Sequence, residues 1–422
     1  MSDEELRSAV RRLLLGNLQE GYSGLLGQSY CYVAPSLGTY PFQWFWDTCF
    51  HVVMLARLGE HDAAKRNLRS LFAMQEDNGF VGHMIFWKKV LPTRHTDVIQ
   101  ARPTWQSIRP HMSALIQPPL AATALHCIYE ECGDRVYLGE LYARLRRHHE
   151  WLAKNRDFDG DGLLTIISPF ESGIDWKPSY DAVLGYRKRT TPRRLLGSPL
   201  FWKAVAVDCA NFVRRYDLQR IRRRGCFLVK DAGFNAMYAV GLHCMEKLAV
   251  IAGDDPQVFA ARRRRLVAAM LERMYDEETA AFYDLREPGG EKLRVLTPTI
   301  FFPLAIEELD QEIARRIVER HFGAAGEFAA PLPIPTVAHS DPSYYPGESP
   351  FLWRGPTWAV VNWFLYHALK KRGFAEEAQT LRRSLARLVE QSGFREYYNP
   401  HNGEGYGARD FTWSGLLLDM SS

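Results

Sequence analysis

Residues 168–178, which read Ser-Pro-Phe-Glu-Ser-Gly-Ile-Asp-Trp-Lys-Pro, are the stretch of this chain best suited to chemistry. Gly173 allows backbone angles that a side chain would forbid, and Pro178 disfavours helical geometry at the residue before it. Asp175 is therefore expected to project from a loop that is fixed at both ends. Apolar surroundings raise the pKa of a carboxyl group, which would suit Asp175 to general acid catalysis. From this stretch alone, an aspartate that caps a neighbouring helix fits equally well.

A second carboxylate is needed, and Glu396 in the sequence Phe-Arg-Glu-Tyr-Tyr-Asn-Pro of residues 394–400 is the candidate. Hydrolysis of a glycosidic bond uses two carboxyl groups, of which one protonates the departing oxygen and the other activates water or attacks the sugar. Glu404, which lies between two glycines, is the competing candidate for the second role. An exposed strand position for Glu396 is the alternative without a function.

Aromatic and polar side chains that suit a sugar precede the first strongly apolar helix. Tyr40, Trp44 and Trp46 offer flat faces for a pyranose ring, while Gln43 and Asp47 can bond to its hydroxyl groups. A buried aromatic cluster, with the aspartate as a helix cap, is the structural alternative. Three further candidates for substrate binding stand beside prolines near predicted helices, and these are Gln117, Arg354 and Trp358.

We predict neither a metal ion nor a cofactor. Residues 157–162 imitate the opening of a calcium-binding loop, but Ser168 stands at the twelfth position, where a bidentate glutamate is required. The sequence has no phosphate-binding glycine loop, zinc-protease motif or serine-hydrolase motif.

The elements that must position these residues are helical, because one pattern recurs along the chain. An apolar helix ends at a glycine and a charged amphipathic helix follows, at Gly59, Gly133, Gly253 and Gly373. The amphipathic helices are predicted over residues 63–74, 136–152, 258–274 and 378–388, after a first helix over residues 4–20. Two weaker copies include residues 303–321 and 201–216.

These copies amount to about six helical hairpins and predict an all-α protein. A closed (α/α)6 barrel would bury both kinds of helix and bring the site loops together at one end. A helical solenoid is the alternative, although solenoid repeats are usually shorter and more alike. No linker or low-complexity tract divides the chain, so residues 1–422 are predicted to form one domain.

Composition limits the partners and the compartment. The net charge of +4 is small, and the arginine runs lie on or beside predicted helices, so we predict no nucleic-acid partner. No apolar run is long enough to span a membrane, and we predict that the protein does not bind a membrane. Seven cysteines form no disulfide pattern, which favours a cytoplasmic location. The expected partner is a small sugar substrate, and homo-oligomerisation is left open.

Five segments taken together resemble glycoside hydrolase family 63, particularly its short bacterial mannosylglycerate and glucosylglycerate hydrolases. They are residues 40–47, 117–119, 171–175, 353–358 and 394–400, in this order along the chain. The resemblance implies an (α/α)6 barrel and an inverting mechanism with Asp175 as general acid and Glu396 as general base. It also implies sugar binding by Tyr40, Trp44, Trp46, Asp47, Gln117 and Trp358.

The resulting prediction is an α-glycosidase that acts on a small solute such as mannosylglycerate or glucosylglycerate. An α,α-trehalase or another α-glucosidase is the alternative enzyme, and a non-catalytic carbohydrate-binding barrel is the alternative from another class. A glycerate leaving group requires a cation or several hydrogen-bond donors for its carboxylate. The candidates for this contact are Lys177, Arg102, Arg109 and the basic loop of Arg187, Lys188 and Arg189.

Overall fold

A computed structural model describes residues 1–88 and 111–420, which are mainly helical. In this part of the chain the α-helices are α1 (Asp3–Gly16), α2 (Phe45–Arg57), α3 (His61–Ala73), α4 (Ala121–Cys132), α5 (Arg135–Arg156), α6 (Pro199–Val213), α7 (Leu218–Arg224), α8 (Ala232–Ala252), α9 (Gln257–Ala269), α10 (Gln311–His321), α11 (Ala359–Lys371) and α12 (Ala375–Ser392). A π-helical turn, Met270–Met274, extends α9, and 3₁₀ helices form at Pro169–Glu171, Pro178–Asp181, Pro298–Ala305 and Thr412–Met420.

The strands are short and antiparallel, and they pair locally at the ends of helices. Within the described ranges they are β1 (Leu18–Ser23), β2 (Gln28–Val33), β3 (Gln43–Trp44), β4 (Met84–Ile85), β5 (Val229–Lys230), β6 (Tyr275–Asp276), β7 (Ala281–Phe282), β8 (Asp284–Arg286), β9 (Glu291–Leu293), β10 (Arg395–Tyr398) and β11 (Gly405–Arg409). The pairs are β1 with β2, β3 with β4, β6 with β7 and β10 with β11, while β8 lies between β5 and β9.

Apolar helical segments pack side by side in a closed cycle. Helix α2 contacts α4, α4 contacts α8, and α8 contacts the 3₁₀ helix Pro298–Ala305. That helix contacts α11, α11 contacts the 3₁₀ helix Thr412–Met420, and the latter returns to α2. Every residue of α2 from Phe45 to Ala56 is buried, as expected for a helix that is covered on all sides.

Amphipathic helices surround this cycle and bury one face each. Helix α3 packs on α2, α9 packs on α8, and α12 packs on α11. On α12 the buried residues recur at helical spacing, as in Leu381, Leu385 and Leu388. By contrast, Arg382 is only partly buried and Arg383 is exposed. The predicted alternation of apolar and amphipathic helices is therefore present, and the protein is a helical barrel.

One predicted hairpin is wrong. Residues 201–216 were expected to supply a copy of the repeat, but α6 packs closely against no other helix of the described chain. Its N-terminus is locally encoded, because Ser198 accepts a hydrogen bond from the Leu200 amide and Pro199 occupies the first turn. The corresponding place beside α2 and α11 is taken by α1 and Thr412–Met420, so the two ends of the chain meet there.

The first helix also ends earlier than predicted, at Gly16 rather than near residue 20, and strand β1 follows at once. Within residues 1–88 and 111–420, no helix is long and apolar enough to cross a membrane.

Candidate active site

A cavity of about 460 Å³ lies where the segments before α2 and α11 meet the loop that carries Asp175 and the β10–β11 hairpin. Both predicted catalytic carboxylates, Asp175 and Glu396, line this cavity. Six of the predicted binding residues line it as well, and these are Tyr40, Trp44, Trp46, Asp47, Gln117 and Trp358.

Half of the residues that line the cavity are aromatic. Trp353 stacks on Trp358 with a centroid separation of 3.8 Å, and Trp46 meets Trp413 edge to face at 5.1 Å. Gly173 lies so close to Trp46 that an added Cβ would stand 2.4 Å from the indole ring. Gly173 also has a positive φ of 76°, so both space and backbone geometry require glycine here.

Glu396 is held by one hydroxyl group and one backbone amide. The Tyr40 hydroxyl donates to Oε1 at 2.7 Å, and the Ala408 amide donates to Oε2 at 2.8 Å. The second contact requires Gly407, because a Cβ at that position would lie 2.4 Å from Oε2. Burial raises the pKa of Glu396, and the two hydrogen bonds offset part of this effect. A carboxylate with a raised pKa is a better proton acceptor, which suits a general base.

Asp47 occupies the first turn of α2 and is a third carboxyl group in the cavity wall. The Trp413 indole donates to Asp47 Oδ1 at 2.7 Å. Burial raises the pKa of Asp47 to about 7, with smaller opposing contributions from the indole and from a backbone amide. Gln117 fixes the same helix end, because its Oε1 accepts a hydrogen bond from the Trp46 amide at 3.1 Å.

Asp175 is half-buried and lies between the 3₁₀ helices Pro169–Glu171 and Pro178–Asp181, in a segment that we call the Asp175 loop (residues 168–181). Buried ion pairs fix this loop. Glu171 accepts from Arg156 at 2.5 and 2.8 Å and also from the amides of Ile116 and Ile167. Sequence reasoning missed Arg156, because a basic residue in the last turn of a helix is usually exposed.

The structure corrects two predicted binding residues, neither of which lines the cavity. Gln43 is fully buried and accepts from the Trp87 indole at 2.7 Å, while its amide nitrogen donates to Asn67. Arg354 is also buried, where it forms a bidentate ion pair with Asp181 and donates to a backbone carbonyl of the Asp175 loop. Trp353 and Trp413, which were not predicted, line the cavity instead.

The structure also shows where four of the six basic residues lie that were candidates to bind a glycerate carboxylate. Lys177 is buried and bonded to two aspartates, so it does not line the cavity. The residues of the basic loop, Arg187, Lys188 and Arg189, are exposed and do not line the cavity either, and Arg189 pairs with Asp341 at 2.9 Å. Arg102 and Arg109 lie outside the described residues.

Two other acidic features lie apart from the cavity. Glu404 is exposed and accepts from the Tyr406 hydroxyl at 2.8 Å. In the calcium-like segment, Asp159 and Asp161 both accept hydrogen bonds from the buried ammonium of Lys230, at 2.5 and 2.7 Å. Among the described residues, no group of three or more His, Cys, Asp or Glu side chains could hold a metal ion.

A helical barrel with an aromatic cavity and carboxyl groups from separate segments has the architecture of a glycoside hydrolase. Residues 40–414 match the family model of the mannosylglycerate hydrolase MGH1-like glycoside hydrolase domain. The chain belongs to this family. The resemblance to glycoside hydrolase family 63 is confirmed. The protein is therefore a glycoside hydrolase rather than a non-catalytic carbohydrate-binding barrel.

Similar proteins cover nearly the whole chain. A mannosylglycerate hydrolase from Rubrobacter radiotolerans is 30% identical, with 92% of each chain covered. A glucosylglycerate hydrolase from Mycolicibacterium hassiacum is 27% identical, with 90% of this chain and 91% of that protein covered. The crystal structure of a family 63 mannosylglycerate hydrolase from Thermus thermophilus, in complex with Tris and D-glycerate, superposes with a TM-score of 0.83 at 27% identity, covering 98% of this chain and 99% of that one.

Proposed function

We propose that this glycoside hydrolase cleaves mannosylglycerate or glucosylglycerate into the sugar and glycerate. The observation that carries the proposal is the single aromatic cavity wall that contains both Asp175 and Glu396. The named activities of the similar proteins and the D-glycerate in one of their structures support this choice of substrate.

In the proposed reaction, Asp175 gives its proton to the glycosidic oxygen as the bond from that oxygen to the anomeric carbon breaks. Glycerate then leaves as an alcohol. Glu396 removes a proton from a water molecule, and the water oxygen bonds to the anomeric carbon from the opposite face. This inverting mechanism requires the two carboxyl groups to be about 6.5–9.5 Å apart, so that the water fits between Glu396 and the sugar.

The proposed sugar site is formed by the six lining residues that were predicted to bind substrate. Asp47 and Gln117 would bond to hydroxyl groups, while Tyr40, Trp44, Trp46 and Trp358 would surround the ring. We also propose that the helical barrel is an (α/α)6 barrel. Its inner elements would be the closed cycle of α2, α4, α8, α11 and the two 3₁₀ helices, Pro298–Ala305 and Thr412–Met420.

A neutral α-linked disaccharide is the second candidate substrate, and one observation favours it. Of the described residues, those that line the cavity include three carboxyl groups but no lysine or arginine. A charged glycerate would need a cation from elsewhere in the chain, such as Arg102 or Arg109, whereas a glucose leaving group would not.

A substrate comparison tests the proposal. Purified protein is incubated separately with mannosylglycerate, glucosylglycerate, α,α-trehalose and maltose, and the released sugar is measured. We expect release from at least one glycerate and little from the disaccharides. Preferential hydrolysis of a neutral disaccharide would overturn the proposed substrate class.

The stereochemical course tests the mechanism. Proton NMR of a fresh reaction, read before the anomers equilibrate, should show the β-sugar as the first product from the α-linked substrate. An initial α-anomer would contradict the inverting mechanism and the base role of Glu396.

A further inference from the structure

Lys177 stands two residues after Asp175, and its side chain is fully buried and does not line the cavity. The ammonium group forms ion pairs with two carboxylates, Asp231 and Asp284, the latter at 2.8 Å. The hydroxyl groups of Ser179 and Tyr180 donate to the same two carboxylates, each at 2.6 Å. The side chains of Lys177, Ser179 and Tyr180 thus tie the end of the Asp175 loop to one acidic pair.

The acidic pair belongs to the barrel itself. Asp231 caps the inner helix α8 by accepting from the Phe234 amide at 2.6 Å. Asp284, in strand β8, accepts from the Ala232 amide at 2.9 Å, in the first turn of the same helix. The positive end of the helix dipole helps to stabilise both carboxylates. Through Lys177, the Asp175 loop is therefore anchored to the N-terminus of an inner, largely buried helix.

The anchor depends on charge. Burial lowers the pKa of Lys177, but the two aspartates outweigh this effect and raise it, so the side chain is cationic. Removal of the cation would leave two buried carboxylates without a counter-ion, which is a strongly unfavourable arrangement. The loop would then have to shift to bring water or another donor to these groups.

We propose that Lys177 is a positioning residue that sets the direction in which Asp175 presents its carboxyl group to the cavity. The inference rests on the proposed role of Asp175 as the general acid. A proton donor acts only within hydrogen-bond reach of the leaving oxygen, so a displacement of about 1 Å can lower the rate about 100-fold.

The proposed role predicts a dependence on the leaving group. Glycerate must receive a proton as its bond to the sugar breaks, because its alkoxide is a poor leaving group. An α-glycosyl fluoride loses fluoride with the bonding electron pair and needs no such proton. Displacement of Asp175 should therefore slow hydrolysis of the glycerate substrate and spare hydrolysis of the fluoride, whereas general damage to the cavity should slow both alike.

The experiment compares three variants on the natural substrate and on the matching α-glycosyl fluoride. Lys177→Met removes the anchor, and Asp175→Asn serves as the reference for a missing proton donor. Lys230→Met is the matched control, because Lys230 is equally buried and pairs with Asp159 and Asp161, neither of which belongs to the Asp175 loop. Melting temperatures are recorded for all three variants.

For Lys177→Met we expect kcat on the glycerate substrate to fall about 10-fold to 100-fold, with a change of less than about 3-fold on the fluoride. Lys230→Met should lower the melting temperature without this selectivity. Equal losses on both substrates in Lys177→Met, or the same selectivity in Lys230→Met, would overturn the positioning role.

The reference variant separates this inference from the proposed function. If Asp175→Asn loses both activities equally, the acid role of Asp175 is wrong and the inference fails with it. If Asp175→Asn is selective and Lys177→Met is not, only the positioning role fails. Should Lys177→Met not fold, Asp284→Asn replaces it, since this variant removes one carboxylate and leaves the ion pair with Asp231.

Discussion

The two proposed catalytic carboxylates are positioned in different ways. The Asp175 loop has little regular backbone pairing and is held by buried ion pairs, which join Glu171 to Arg156, Lys177 to Asp231 and Asp284, and Asp181 to Arg354. Glu396 lies in strand β10, which pairs with β11, and among the described residues its carboxyl group accepts hydrogen bonds from two uncharged donors, the Tyr40 hydroxyl and the Ala408 amide.

The difference shows how backbone geometry determines the type of support. A strand fixes its side chains through the ladder of backbone hydrogen bonds, so Glu396 needs few side-chain contacts. An irregular loop lacks such a ladder, so its buried backbone and side chains require other partners. Charged partners make the loop well defined, but loss of one partner of a buried ion pair is costly. We therefore expect the Asp175 loop to be more sensitive to single substitutions than the Glu396 hairpin.

The largest effects should follow removal of the two carboxyl groups themselves. We expect Asp175→Asn and Glu396→Gln each to reduce turnover by at least about 100-fold while the protein stays folded, because each loses a proton-transfer role. Initial rates and circular dichroism provide the measurements. Glu404→Gln is the control, and near-normal turnover by Glu396→Gln together with loss in Glu404→Gln would reverse the assignment of the base.

The next effect concerns the ion pairs of the Asp175 loop. Arg354→Met should lower the free energy of unfolding by about 3–5 kcal/mol, because Asp181 is left buried without its counter-ion. Denaturant unfolding measures this change. Arg315→Met removes ion pairs on the exposed face of α10 and should hardly change stability. An Arg354→Met variant as stable as the wild type would show that the loop does not depend on this ion pair.

Asp47 is positioned in a third way, by its place in the first turn of α2 and by a hydrogen bond from the Trp413 indole. Its pKa in the folded protein is about 7, against 3.8 for an exposed aspartate, so the folded state retains a proton that the unfolded chain releases. The carboxyl group therefore lowers stability progressively as the pH rises from about 4 to about 7.

Asp47→Asn should remove this pH dependence. Relative to the wild type, we expect the variant to gain roughly 2.5 kcal/mol of unfolding free energy between pH 5 and pH 8, since about two pKa units are involved and each corresponds to about 1.4 kcal/mol. Parallel stability curves for the two proteins would contradict the raised pKa. Activity above about pH 7 should also fall, because the amide cannot replace the carboxylate in the proposed contacts with sugar hydroxyl groups.

The smallest effect is expected from the uncharged support of Glu396. Tyr40→Phe removes one hydrogen bond to the carboxylate, so kcat/KM should fall about fivefold, which corresponds to about 1 kcal/mol. This hydrogen bond lowers the pKa of Glu396, so its loss should raise that pKa further. A base must be deprotonated, and the acidic limb of the pH–rate profile should therefore move to higher pH. An unmoved limb would show that Tyr40 does not act on Glu396.

The helix pairs could be predicted from the sequence, because helical periodicity and glycine at helix ends are local signals. Helices α3, α5 and α12 lie within a few residues of their predicted positions. The packing of α1 against Thr412–Met420 could not be predicted in this way, since these segments come from opposite ends of the chain. No local pattern records which distant segments will pack together.

By itself the sequence determined the family, the helical class and the two segments that carry Asp175 and Glu396. Local features were sufficient for the Asp175 segment, because Gly173 permits a turn and Pro178 disfavours helix at the residue before it, whatever surrounds them. Only the tertiary structure decided that Gln43, Lys177 and Arg354 face the interior rather than the cavity. Their polar groups bond to partners far away in sequence, and burial of a polar or charged group is tolerated only where such partners meet it.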